Sequence, residues 1–244
     1  MGPTALLVEL ASALLGGLVQ GVTGFGAGVI MMLTLPVLLA VPQAAAVSGA
    51  VCVALTASMT WRYRARVHPA AIAAPAALYV AASAVAITLT RGVDQGAMKV
   101  ALGLFLMALA AYSLLAPGGE GRRVGGVAAL ACVLVSGICD GAFGIGGPLM
   151  VVYYLSRTDD VEEYLGTIQG FFCVTLACAT VFRLATSVIG IAHLPLVALG
   201  VLGVLVGAAL GAQVVEQLDA GVLKKATYVV IGIAGVINVV SGMM

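Results

Sequence analysis

Two glycine-rich strings interrupt apolar stretches of this sequence, GLVQGVTGFGAG at 17–28 and GICDGAFGIGGP at 137–148. In a bilayer, an interrupted backbone survives only where protein covers it or where it lines a wet cavity, because unpaired backbone groups are costly in hydrocarbon. New helices begin after each break, from about Gly26 and Gly146. The first N–H groups of a helix have no internal partner and carry partial positive charge. Pro148 suits the first turn, having no N–H to leave unpaired. Two such helix ends brought together would hold a small anion without a charged side chain. Glycine would let the anion's oxygens come close to the backbone. The plainer reading is that these glycines only allow tight helix packing.

Polar residues near the breaks add to either reading. Asp140 reads as the one acidic residue set well inside an apolar segment. A carboxylate at that depth is expensive and marks function by default, which makes Asp140 the proton-coupling candidate. It could equally cap the following helix or be held by Arg183. Its counterpart in the first string is the neutral Gln20. Ser48 and Gln169 could donate to an oxyanion or serve as glue between helices. Thr23 and Thr167 are weaker candidates of the same kind. Arg183 lies in the run VFRLATSVIG and is either a side chain snorkelling to the headgroups or a candidate for guiding anions at one mouth of a pathway. Arg62 sits in an arginine cluster and reads as a snorkelling side chain. No metal site is expected, since His68 and His193 stand apart at no ligand spacing. G-x-G-x-G at 24–28 lacks the strand and acidic partner of a nucleotide loop, and no cofactor is expected.

Composition fixes the setting. The 244 residues are 62% hydrophobic and 9% charged, where a soluble chain is about 25% charged. Repeated apolar runs of spanning length indicate transmembrane helices, not a soluble domain or an outer-membrane barrel. A net charge of +1 offers no basic face, so no nucleic-acid partner is expected. The five cysteines lie in apolar runs and read as small hydrophobes. The first segment lacks a basic leader and reads as a membrane helix, not a signal peptide.

Apolar segments fall at 5–20, 29–40, 44–62, 69–90 and 95–116. A polar linker follows at 117–123, and the pattern recurs at 124–139, 149–156, 162–183, 190–213 and 221–242. The chain therefore divides into a first membrane repeat at 1–116 and a second at 124–244. An offset of 120 carries Gly17, Gly21, Gly24 and Gly26 onto Gly137, Gly141, Gly144 and Gly146. An offset of 121 carries Trp61-Arg62 onto Phe182-Arg183, and one of 125 carries Asp94, Gly96 and Lys99 onto Asp219, Gly221 and Lys224. The segments flanking each break are individually too short to span. Each pair is either one broken crossing or a hairpin that returns to its own side. With loop 62–68 cytoplasmic, the hairpin reading puts Arg62, Arg64, Arg66, Arg122, Arg123, Arg157, Lys224 and Lys225 inside. It leaves Arg91, Lys99 and Arg183 outside, eight against three; the single crossing gives six against five. The positive-inside rule selects the hairpin. Both termini are then periplasmic and the two halves inverted. The expected fold is an all-α polytopic membrane protein of two inverted repeats, each an interrupted, re-entrant hairpin plus three spanning helices, as in many secondary transporters.

The two strings resemble the paired G-x-x-S-G-x-x-G-I-G-G motifs of the TauE/SafE family, bacterial membrane proteins linked to export of sulfite and organosulfonates. Gln20 and Asp140 stand where the family carries a small polar residue, Ala27 replaces a glycine, and Pro148 stands where another is common. The resemblance spans about 5–242. It implies a secondary transporter of the bacterial inner membrane for sulfite or an organosulfonate such as isethionate or sulfoacetate. Its substrate-binding residues would be Gln20, Gly24, Phe25, Gly26, Ser48, Asp140, Gly144, Ile145, Gly146, Gly147 and Gln169. Alternatives are another small anion, such as a carboxylate, or a sulfur-handling intramembrane enzyme using Cys139. The expected partners are the anion and membrane lipid. The outer helix faces suit lipid or a second copy in a homodimer equally.

Overall fold

Runs this apolar leave the backbone one solution in a membrane, to satisfy its own hydrogen bonds within each segment. The computed structural model describes residues 3–115, 125–158, 160–214, 232–233 and 235–243. Among these there are helices and no strand. They are α1 (Pro3–Thr23), α2 (Ala27–Leu38), α3 (Val41–Arg62), α4 (Pro69–Thr90), α5 (Gln95–Leu115), α6 (Gly126–Phe143), α7 (Gly147–Leu155), α8 (Val161–Ala185) and α9 (Leu194–Val214). Residues 235–243 are also helical. Six helices, α1, α3, α4, α6, α8 and α9, are long and apolar enough to cross a membrane. Linker 117–123 and residues 219–225, with Asp219, Gly221, Lys224 and Lys225, lie outside the described residues, as do Arg122 and Arg123.

The breaks are shorter than expected. Helix continues through Gly21 to Thr23 and through Gly141 to Phe143, and only 24–26 and 144–146 leave it. The first arms are therefore 21 and 18 residues long, while the returning arms have only 12 and 9. Gly21 and Gly141 do not break the helix. They let it approach a neighbour: a Cβ on Gly21 would lie 2.9 Å from the Ala208 carbonyl, and one on Gly141 would strike Ser83. The turn itself needs glycine at Gly24, Gly26 and Gly144, whose φ angles of 80°, 114° and 69° disfavour any side chain.

The glycines also place the elements. Gly17 and Gly21 of α1 face Val204 and Ala208 of α9, while Gly137 and Gly141 of α6 face Tyr79 and Ser83 of α4. The offset of 120 on one side of these contacts is matched by 125 on the other. Gly203, Gly207 and Gly211 of α9 lie against the backbone of Leu10, Leu14 and Leu18, so α1 and α9 run parallel. By contrast α3 and α8, which hold matching places after each hairpin, run antiparallel: Gly49 faces Arg183, Thr60 faces Gly170, and Tyr63 faces Gly166.

The ends of the bundle sort the loops. Arg66 lies 3.9 Å from Asp160 and 3.3 Å from Glu162, and His68 lies 3.3 Å from Glu163. Residues 62–68 and the start of α8 therefore share one end. Asp160 caps α8 there, accepting from the Glu163 N–H at 2.7 Å. At the other end, Arg91 donates to the Thr186 carbonyl, and the Val41 N–H donates to Gln95 Oε1 at 3.1 Å. A single crossing at 124–156 would have put Arg91 and Thr186 at opposite ends. Their contact agrees with hairpins that return.

Candidate functional site between the hairpin tips

The two tips pass each other inside the bundle. A Cβ on Gly28 would lie 3.1 Å from the Gly144 carbonyl and 3.6 Å from Ser48 Oγ, and one on Gly147 would lie 3.5 Å from the Phe25 ring. The space between them is a cavity of about 40 Å³ for the centres of water-sized spheres. One water needs roughly 10–15 Å³ on that measure, so there is room for a few waters or one compact anion.

Nine of the eleven residues expected from the sequence line this cavity: Gln20, Phe25, Gly26, Ser48, Asp140, Gly144, Ile145, Gly146 and Gly147. Gly24 and Gln169 do not. Gln169 Nε2 donates to the Gly24 carbonyl, and Gln169 Oε1 accepts from Gln20 Nε2 at 3.2 Å. Gln20 Oε1 in turn accepts the Ala27 N–H, the first donor of α2, at 3.1 Å. The two glutamines thus clamp the first tip, and one of the helix-start donors that an anion could use is already taken.

The second tip is held by charge. Asp140 lies inside α6, not at a cap, and its Oδ2 accepts from Ser83 Oγ at 3.0 Å. Arg183 is not at a mouth. It is 1% exposed, and its guanidinium donates to the carbonyls of Ala45 at 3.0 Å, Asp140 at 2.7 Å and Gly141 at 3.3 Å. Asp140 and Gly141 belong to the last turn of α6, where the carbonyls carry partial negative charge, and the Asp140 carbonyl accepts the Gly144 N–H at 2.7 Å as well as Arg183. A buried cation is well placed there. Arg62, its counterpart, ends α3 exposed, with its guanidinium 5.9 Å from the Tyr63 ring.

Several residues were not foreseen. Tyr79 of α4 lines the cavity with Gly28, Gly49, Cys52, Thr56 and Phe172. Its ring packs edge-on against Phe171 at 5.2 Å, and its hydroxyl occupies the place where a side chain on Gly146 would go. Neither Tyr79 OH nor Ser48 Oγ has a hydrogen-bond partner, and the Cys52 thiol is beside Ser48. Gly49 recurs with Ser48 at an offset of 121, onto Gly170, and the same offset carries Cys52 onto Cys173, a signal that could have marked it. Tyr79 gave no such signal, its counterpart being Val204. Asp140 is also not the one buried acid: Glu9 of α1 is 0% exposed.

The cavity therefore joins the starts of α2 and α7, two buried hydroxyls without partners, and an Asp–Arg couple at its wall. Neither a curated protein nor a solved structure matches the chain. The family model of the sulfite exporter TauE/SafE matches residues 9–237, nearly the full length, and the chain belongs to this family of multi-pass membrane transporters.

Proposed function

We propose that this chain moves small oxyanions, sulfite foremost, across the bacterial inner membrane by alternating access, with the cavity between the hairpin tips as the anion site. The observation that carries the reading is the pair of buried hydroxyls without partners, Ser48 and Tyr79, facing a cavity bounded by two helix starts. A buried donor left unpaired costs about 1–3 kcal/mol, and a bound oxyanion would remove that cost. Gly26, Gly28 and Gly144 to Gly147 give such an anion backbone to approach without side chains in the way. Asp140 is compensated by Arg183, so their combined charge does not repel the anion. The cavity's size favours sulfite over isethionate or sulfoacetate, which would need the hairpins to part further.

Alternating access follows from inversion of the halves, which the antiparallel run of α3 and α8 supports. With loop 62–68 and Arg157 cytoplasmic by the positive-inside rule, both termini are periplasmic. Flux measured in proteoliposomes with sulfite, isethionate, sulfoacetate and a carboxylate tests the reading. Saturable flux fastest for sulfite is the expected result. Folded protein that moves the carboxylate and not sulfite overturns it.

A further inference from the structure

α1 carries an ionisable side chain that the anion site does not use. Neither carboxyl oxygen of Glu9 has a hydrogen-bond partner, and the residue is wholly buried. It lies against Val51 of α3 and Gly200 of α9, where a side chain at Gly200 would collide with the carboxyl. Val51 is the eleventh of the 22 residues of α3, so Glu9 sits about half-way through the bundle. Ser12, a turn further on, donates to the Glu9 backbone carbonyl at 3.0 Å and not to the carboxyl. α2 and α9 contain no Asp, Glu, Lys, Arg or His, and the one charge on α3 is Arg62 at its exposed far end. The Cys52 thiol of α3 is a titratable group near Glu9.

An ionised carboxylate enclosed by valine, glycine and helix backbone, with no donor and no cation, is strongly unfavourable, whereas the acid is tolerated. A hard cation would need several oxygens that these neighbours do not supply. A proton needs only the carboxylate. We propose that Glu9 is a proton-binding site of the transport cycle. It holds a proton in the closed arrangement described here and releases it when α1 parts from α3 and α9 and water reaches the carboxyl. This rests on the transport reading above. Asp140 is the poorer carrier, since Ser83 donates to its carboxyl and the Arg183 guanidinium is held close by on its backbone carbonyl. Two connections link the proton to the anion. α3 presents Val51 to Glu9 while its Ser48 and Cys52 line the cavity. α1 carries both Glu9 and the cavity residue Gln20, about 16 Å apart along the helix axis.

The sign is fixed by the burial. Closing α1 onto Glu9 takes up a proton, so the closed state is favoured at low pH and lost as pH rises. Sulfite exchange in proteoliposomes is expected to slow with rising pH, and a pH gradient is expected to drive net flux. In Glu9→Gln the exchange keeps only the pH dependence that the sulfite–bisulfite equilibrium itself imposes, and a pH gradient drives less net flux than in wild type. Sodium replaced by choline changes neither protein. A direct measurement needs no transport: infrared spectra of the purified chain should keep a protonated-carboxyl band at a pH where exposed glutamates are ionised. Isotope-labelled glutamate should shift that band. A gradient that drives Glu9→Gln as strongly as wild type, or a chain without the band, overturns the proposal. A sodium-dependent flux abolished in Glu9→Gln overturns it in favour of a cation site. Wild type that carries the band but moves no sulfite overturns the transport reading instead.

Discussion

Gln20 and Asp140 hold the same place one turn before the two hairpin tips, and the tips around them are built on opposite chemistry. At the first, Gln20 and Gln169 clamp the turn with neutral amides, and α9 faces it with Val204 and Ala208. At the second, α4 faces it with Tyr79 and Ser83, and Arg183 reaches in from α8 to the carbonyls of Asp140, Gly141 and Ala45. The backbone contacts agree residue for residue, glycine against carbonyl, while the side chains differ at nearly every matching position. Duplication has kept what lets helices approach and has changed what faces the cavity. The first tip is held by neutral amide hydrogen bonds, and the second carries a buried aspartate and arginine.

The largest test of that division compares the two matching arginines. Arg183→Ala removes three hydrogen bonds to backbone carbonyls and leaves Asp140 buried without a nearby cation, at an expected cost of about 3–5 kcal/mol. Arg62→Ala, on an exposed helix end, is expected to stay within about 0.5 kcal/mol of wild type. Thermal unfolding in detergent reads both. Adding Asp140→Asn to Arg183→Ala should recover part of the loss, since the uncompensated charge is gone. Equal stability of the two arginine variants would erase the distinction between the tips.

Glycines at the tips sharpen the comparison at a smaller scale. Gly146 has an ordinary φ of −108°, so its constraint is space: a Cβ there would meet Tyr79 OH and lie 2.8 Å from the Ser136 carbonyl. Gly26 is the reverse, with a φ of 114° and a Val19 methyl at 3.2 Å as its nearest obstacle. Each Ala substitution is expected to cost about 1–3 kcal/mol, Gly146 through overpacking and Gly26 through strain. Tyr79→Phe removes the nearest of three obstacles and keeps the ring carbon and the Ser136 carbonyl at 2.8 Å, so it should relieve part of the cost of Gly146→Ala and leave Gly26→Ala unchanged. Relief of both, or of neither, would mean the tips are limited by the same thing.

These positions also mark what a sequence can disclose. The glycines were legible because they recur at one offset, and recurrence survives without knowing what packs on what. The extent of each break was not. Gly21 and Gly141 look like breakers until α9 and α4 are seen pressed against them. Arg183 counts as a surface charge when loops are tallied, because the last carbonyls of α6 that draw it inward lie more than forty positions away. Glu9 escaped notice for a similar reason. The gap that admits it is a missing side chain at Gly200 of a distant helix. Repeats and depth are local properties of a chain, whereas the partners of a buried charge are not.

The smallest effect on folding should be the most telling for function. Ser48 matches Gln169, which holds the first tip through two hydrogen bonds, whereas Ser48 Oγ has no hydrogen-bond partner. Gln169→Ala should therefore destabilise the protein. Ser48→Ala removes no bond and should leave unfolding at the wild-type temperature or slightly above. A hydroxyl donating to a charged ligand contributes about 1.5–3 kcal/mol. At about 1.4 kcal/mol per tenfold, Ser48→Ala should raise the half-saturating sulfite concentration by roughly tenfold or more. A Ser48→Ala protein that saturates like wild type would remove the hydroxyl from the anion's coordination. The cavity wall near α3 would then be only the edge of a packed core, and the helix starts at Gly26 and Gly146 would have to hold the anion alone.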